Sequence, residues 1–417
     1  MVPNNSNYLV EDAVPNAPTA AVGRDLGRRG RLGFRLMLTA ATAMMAGASA
    51  PSPFYPVIQA ELGFSPVMTT AVFAVYAVAL LGTLLVVGSV SDHLGRRPVI
   101  SLGFVLLAVS VVLFWHADSA TGFVAARVLQ GVASGLLLSA LSAVVVDLEP
   151  RDRPGSAAIW NAVTPMVGLA VGALVAGIVL DGVGHSAAAA VFGSLTALYL
   201  VLAAGVWTVP ETAPRHEGLL ASLRPRVALP PDVRAVFVRS APAVFAGWAT
   251  GGLYLSLGPA IVAGELGGTS HLSQGLAVTL LAGAGAVAGF LVRHRTPRFI
   301  TLYGTTALAV GTASTLGALA LGSLPAYYVA VVVAGTGFGT AFFGVLLSIT
   351  PLTRPEDRAE VFAAIFVVSY TAFGVPAVIA GLLVPHLGLA TTVYCYGAVI
   401  IVLATSAALM RRFGSRD

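Results

Sequence analysis

Gly88-Ser89-Val90-Ser91-Asp92-His93-Leu94-Gly95-Arg96-Arg97-Pro98 is the stretch from which the rest of the chain can be read. It is short and polar, and an apolar window lies on each side, at 67–90 and at 99–114. Each window suffices for a helix that crosses, or nearly crosses, the apolar core of a bilayer, which takes about 20 residues. The segment is therefore a tight connection at a membrane boundary. Two adjacent arginines fit the positive charge of cytoplasmic loops. An acid four residues after a glycine is not explained by that rule. Gly88 is expected to allow close helix approach and Gly95 a tight turn, while Asp92 can accept hydrogen bonds from a helix N-terminus and pair with a nearby arginine.

Outward from this loop, the composition is that of a polytopic membrane protein. Of 417 residues, 57% are hydrophobic and 10% charged, against roughly 25% charged in soluble domains, and the mean hydropathy is +0.88. Ten further windows can be laid out, at 36–56, 122–146, 157–180 and 187–209 in the first part and at 241–262, 272–292, 299–321, 326–349, 361–384 and 391–409 in the second. With those flanking the loop they make twelve. All 23 basic residues are Arg, and 22 of them fall in segments on one side of this layout if the N-terminus is cytoplasmic. The exception, Arg127, lies inside the fourth window. The net charge of +5 is thus a topology signal and does not point to nucleic acid. The pattern predicts an even number of spans with both termini cytoplasmic.

The expected organisation is a disordered cytosolic tail at 1–35, a six-helix bundle at 36–209, a polar Pro-rich linker at 210–239, a second six-helix bundle at 240–410 and a short tail at 411–417. Internal similarity supports it. Glu61-Leu62-Gly63 recurs as Glu265-Leu266-Gly267, and Ala157-Ala158-Ile159 as Ala363-Ala364-Ile365, at equivalent points of the two halves.

The loop resembles the signature of the major facilitator superfamily, Gly-x-x-x-Asp-x-x-Gly-Arg-Arg, matched at Gly88, Asp92, Gly95, Arg96 and Arg97. The resemblance covers about 36–409. It implies an all-α integral membrane fold, twelve transmembrane helices in two pseudo-symmetric six-helix bundles. It also implies that the loop, completed by Asp147 at the end of helix 4, clasps the first half to the start of helix 11 when the carrier is open outward. The corresponding loop of the second half, 289–298, has basic residues and no acid.

Arg127 opens Arg127-x-x-x-Gly131, which resembles the superfamily pattern of proton-coupled carriers. An intramembrane arginine should face a water-filled cavity or a partner, and Gln130 lies nearly one turn away on the same face. Gly131 and Gly135, and Gly168, Gly172 and Gly177 on helix 5, are read as helix-packing glycines. The helix 5 set is similar to a degraded antiporter pattern, with Ala173 in place of a proline. Gly335, Gly337 and Gly339 lie within a window and are read as packing glycines with no nucleotide loop around them. Tyr76, Trp160, Asn161, Trp248, Tyr254, Phe342 and Tyr370 form a pool of candidate substrate contacts.

The resemblance implies transport by alternating access, with no catalytic step. The expected substrate is a small amphipathic compound such as a drug, antibiotic or secondary metabolite, exported from a plasma-membrane monomer in exchange for protons. Uptake or facilitated diffusion of a metabolite is the alternative, and a non-transporting sensor or scaffold a remote one. No cofactor, metal or nucleic-acid partner is expected; Cys395 is alone and the histidines show no zinc spacing. None of the 18 acids is deep in a window, so Asp92, Asp147 or Asp181 would have to carry protons unless the substrate itself does.

Overall fold

The computed structural model describes residues 28–213, 219, 223, 227–354 and 357–413. It is all-helical among these residues. The first set of long helices is α1 (Arg28–Ser49), α2 (Pro66–Val87), α3 (Arg96–His116), α4 (Ala120–Asp147), α5 (Ser156–Val183) and α6 (Ala187–Gly205). The second is α7 (Pro231–Gly264), α8 (His271–Val292), α9 (Pro297–Ala320), α10 (Leu324–Ile349), α11 (Arg358–Leu387) and α12 (Leu389–Phe413). Short helices at Ser52–Phe54, Tyr55–Leu62 and Val90–Leu94 fill the connections.

Helix starts follow local chemistry. Ser65, Ser119, Ser270, Thr296 and Ser323 each accept a hydrogen bond from a backbone N–H in the first turn of the helix that follows, which satisfies donors the helix cannot. Proline at the start of α2 and α9 reinforces the entry. Ten of the twelve are long and apolar enough to cross a membrane. The other two, α1 and α7, open the two sets and begin with charged turns.

These turns shift two expected boundaries. α1 begins at Arg28, not at 36, so Arg31 and Arg35 are helical and the expected tail shortens, its residues 1–27 lying outside those described. α7 begins at Pro231, inside the stretch read as linker. Its 34 residues make a rod of about 51 Å, longer than a bilayer core of about 30 Å, so its charged first turns extend past the apolar layer.

Helix contacts repeat between the sets. α1 packs on α5, α2 on α4, α3 on α4 and α6; correspondingly α7 packs on α11, α8 on α10, α9 on α10 and α12. The sets meet along two seams, α5 against α8 and α2 against α11, themselves related by the same exchange. α6 and α12 are peripheral: 33% of each apolar window is buried inside the protein, leaving the rest to face lipid. Glycines make the close packing possible. A Cβ at Gly131 would come within 2.7 Å of Ala79 Cβ on α2, one at Gly135 within 2.7 Å of Thr83 Cβ, and one at Gly168 within 2.6 Å of Met45 Cβ on α1. Gly172 likewise sits against Ala46 and Ser49. Gly335, Gly337 and Gly339 serve the same purpose on α10, against α8 and α9.

Candidate functional site

The loop at 88–98 lies at the end of the protein that also holds the start of α1 and the end of α12, here called the basic end. Gly88 terminates α2, and a Cβ there would lie 2.5 Å from the Leu84 carbonyl oxygen. The glycine serves its own turn and not the approach of another helix that the sequence suggested. Gly95 has φ +98°, in the region that favours glycine, and offers no side chain to cap α3.

The missing cap comes from a distant residue. Glu211, beyond α6, accepts the backbone N–H of Arg96 at 2.8 Å and of Arg97 at 3.1 Å. It also accepts from Thr212 and Ala213. Partial burial raises the pKa of its carboxyl, but these four N–H donors outweigh that and hold it below the usual value of 4.5. In the sequence Glu211 reads only as part of a polar linker. A signal was nonetheless present, because a helix opening Gly-Arg-Arg-Pro has orphan donors and no local acceptor.

Arg96 pairs with Asp92, donates to Ser91 Oγ at 2.6 Å, and its Nε lies 3.6 Å from Asp147. Thr212 Oγ1 donates to Asp147 at 2.7 Å. Asp92, Arg96 and Asp147 are thus brought together as expected, with Glu211 and Thr212 added. In this structure every partner named belongs to the first set, so the loop is held against its own half.

Arg127 is neither snorkelled outward nor open to a central cavity. It is 1% exposed. It donates to Gln130 Oε1 at 2.5 Å and to the Tyr55 hydroxyl, while Gln130 Nε2 donates to the Gly47 carbonyl at 2.9 Å. The guanidinium carbon lies 5.4–5.7 Å from the ring centres of Tyr55, Tyr76 and Phe114. Its Nε has no partner, and no carboxylate forms an ion pair with it among the described residues. A buried cation is here held by hydrogen bonds and ring faces alone. Tyr55, which sequence reading missed, also borders a cavity of about 130 Å³ between the sets at the end opposite the basic one, lined further by Gln59, Thr69, Ser256, Leu257 and Val384.

At that same end the two sets are hydrogen-bonded to each other. Asp181, on the last turn of α5, accepts the backbone N–H of His271 at 2.8 Å and of Leu272 at 2.9 Å, the first two residues of α8. Ser52 Oγ donates to the Leu255 carbonyl on α7 at 2.7 Å. Gly177 makes this approach possible, since a Cβ there would come within 3.0 Å of Leu272 Cα. Deeper along the seam, Thr279 Oγ1 donates to the Ala170 carbonyl at 3.3 Å. Of the helix 5 glycines, Gly168 and Gly172 pack within the first set and Gly177 across the two.

The pool of candidate substrate contacts divides. Trp248, Phe342 and Tyr370 gather in one aromatic cluster: the Trp248 ring is 4.9 Å from Tyr370, 5.5 Å from Phe342 and 5.8 Å from Phe373. Phe373 in turn meets Phe73 of the first set at 4.8 Å. The cluster therefore straddles the α2–α11 seam. Phe373 was missed, although it stands three residues after Tyr370 on the same helical face. Tyr254 does not belong to it; the side chain is 2% exposed inside the second set, beside Tyr327. Tyr76 belongs to the Arg127 nest. Asn161 donates to the Ser142 carbonyl at 3.1 Å within the first set, and Trp160 lies near Phe290 on the α5–α8 seam.

Comparison with known proteins gives three results. The family model described as Major Facilitator Superfamily matches residues 37–377. "Multidrug resistance protein MdtL" of Klebsiella pneumoniae (strain 342) is 28% identical over 113 residues, and that of Escherichia coli (strain K12 / DH10B) 31% identical over 113 residues. Each match covers 27% of this chain and 29% of the relative's length. A solved bacterial homolog of the human lysosomal transporter Spinster, in an inward-facing and unoccupied conformation, has a similar fold, with a TM-score of 0.73 at 16% identity, over 92% of this chain and 97% of the other.

Proposed function

Since the chain belongs to the Major Facilitator Superfamily, we propose that it is a secondary transporter that exports small amphipathic compounds across the plasma membrane in exchange for protons, with its basic end in the cytoplasm. The observation that carries the substrate class is the aromatic cluster of Trp248, Phe342, Tyr370, Phe373 and Phe73 at the junction of the two sets. Ring faces and apolar edges at a junction that opens and closes suit a neutral or weakly acidic amphiphile. They offer no carboxylate to hold a fixed cation. The name of the matched relatives, multidrug resistance protein, points the same way.

Alternating access requires the two sets to part at one end while they close at the other. In the proposed orientation the external end is the closed one, tied by Asp181 and Ser52. The loop at 88–98 is meanwhile engaged with Asp147 and Glu211 of its own half and is available to clasp α11 in the other conformation. Asp181 is the acid best placed to couple protons to this change. Its carboxylate joins the two sets by accepting two N–H bonds at the N-terminus of α8.

Reconstituted vesicles with an imposed pH gradient and a panel of neutral, anionic and cationic amphiphiles test the reading. Uptake of neutral or weakly acidic compounds that collapses when the gradient is dissipated is the expected outcome. Equal transport with and without the gradient would leave facilitated diffusion.

A further inference from the structure

The cytoplasmic charge of the two halves is unequal, on the orientation proposed above. Among the described residues, the basic end of the second set carries nine arginines against three carboxylates, Asp232, Asp357 and Glu360. At the first set five carboxylates, Asp92, Asp147, Glu149, Asp152 and Glu211, stand against eight arginines, and three of them pair with arginines. The surplus is concentrated where α7, α9, α10 and α12 end together.

There, arginines from three helices converge. Arg411 of α12 reaches Ser348 Oγ on α10 at 2.5 Å, and Arg298 of α9 donates to the Arg412 carbonyl at 3.0 Å. The charges that bear on Arg411 are Arg298 and Arg239, both positive, and its own Nε is buried without a partner. None of these arginines forms an ion pair with a carboxylate among the described residues. Like charges held together with an unused donor favour an anionic ligand at this place.

The surroundings say which kind. Phe299, beside Arg298, is 47% exposed and stacked on Tyr303; Met410 and Phe413, flanking Arg411 and Arg412, are 47% and 75% exposed. Apolar side chains that face outward next to clustered guanidinium groups match a ligand with a phosphate head and acyl tails. We propose that Arg239, Arg298 and Arg411 form a binding site for the phosphate headgroup of an anionic phospholipid, whose chains lie along Phe299, Met410 and Phe413. A bound lipid at this place pins the ends of α7, α9 and α12 together. Free inorganic phosphate shares the headgroup chemistry but would leave the apolar flank uncovered.

Detergent-purified full-length protein provides the test, with retained lipid read by native mass spectrometry and unfolding by a thermal shift. The added probes are phosphatidylglycerol, phosphatidylcholine and inorganic phosphate. Phosphatidylglycerol should bind and raise the unfolding temperature, and the other two should not. Arginine near an anionic headgroup contributes roughly a five-fold preference, so Arg239→Gln should weaken binding about five-fold and Arg298→Gln with Arg411→Gln about 25-fold. Arg153→Gln, an exposed arginine of the first set, should change nothing. Arg239 is exposed and bonds only to its own helix, so its substitution leaves a folded protein even if the double variant unfolds. Equal binding of phosphatidylcholine, equal protection by phosphate, or unchanged affinity in Arg239→Gln would overturn the proposal. The readout is binding, so it is independent of whether the proposed transport is correct.

Discussion

Replacing Asp181 by Asn changes one atom and tests the latch between the two sets directly. The carboxylate accepts two N–H groups, at 2.8 and 2.9 Å, at the start of α8. Asn keeps one oxygen, so one bond and the charge are lost together. A hydrogen bond to a charged group is worth about 1.5–3 kcal/mol, and a charge at a helix N-terminus about 0.3–1 kcal/mol. The residue is exposed, which puts the sum toward the low end of these ranges. A loss of about 1–2 kcal/mol shifts the closed-to-open ratio at this end by a factor of roughly 5–30. Cys395 is the sole cysteine, so Cys395→Ser clears the background. Thr69→Cys then places a probe in the cavity between the sets. Labelling of Thr69→Cys by a membrane-impermeant maleimide should accelerate by that factor in the Asp181→Asn variant. Equal labelling rates in parent and variant would refute the latch.

Four further outcomes are expected. Asp92→Asn should abolish or strongly slow transport while costing less than about 1 kcal/mol of stability, since Asp92 is half-exposed; wild-type transport with an unchanged inward-to-outward labelling ratio would remove the loop from gating. Glu211→Gln should destabilise the protein by about 0.5–2 kcal/mol at neutral pH through loss of the α3 cap. The carboxyl is lowered from 4.5 by its N–H donors, so its contribution is present above that value and fades as pH falls through the lowered one, and the difference in unfolding midpoint between parent and variant should close in acid. Arg127 acts on the cavity from behind Tyr55, and at roughly 10 Å with an effective dielectric of 20 one charge is worth about 1.7 kcal/mol to another; neutral or weakly acidic amphiphiles should be carried about ten-fold better than matched quaternary cations, with Arg127→Gln narrowing the gap, and preferential transport of the cations would exclude the effect. Reporters fused within 210–230 and at the C-terminus should be cytoplasmic and one within 267–270 external, and a contrary result would break the proposed orientation.

The apolar windows, the arginine asymmetry and the loop at 88–98 were legible in the sequence because each is a local property. A span needs a run of apolar residues, a turn such as that at Gly95 needs a residue that tolerates positive φ, and neither depends on a distant partner. The packing glycines were legible for the same reason, since a close helix approach excludes a Cβ whichever helix approaches. Other features depended on partners far along the chain. Glu211 caps a helix 115 residues before it, Tyr55 reaches Arg127 across 72 residues, and Asp181 binds α8 across 90. The choice among aromatic residues was decided by rotation. In a helix that is apolar all round, no periodic pattern separates the face toward lipid from the face toward the core, so Tyr254 and Trp248, six residues apart on α7, looked alike. Packing alone turned Tyr254 into the interior of the second set and Trp248 toward the junction with the first.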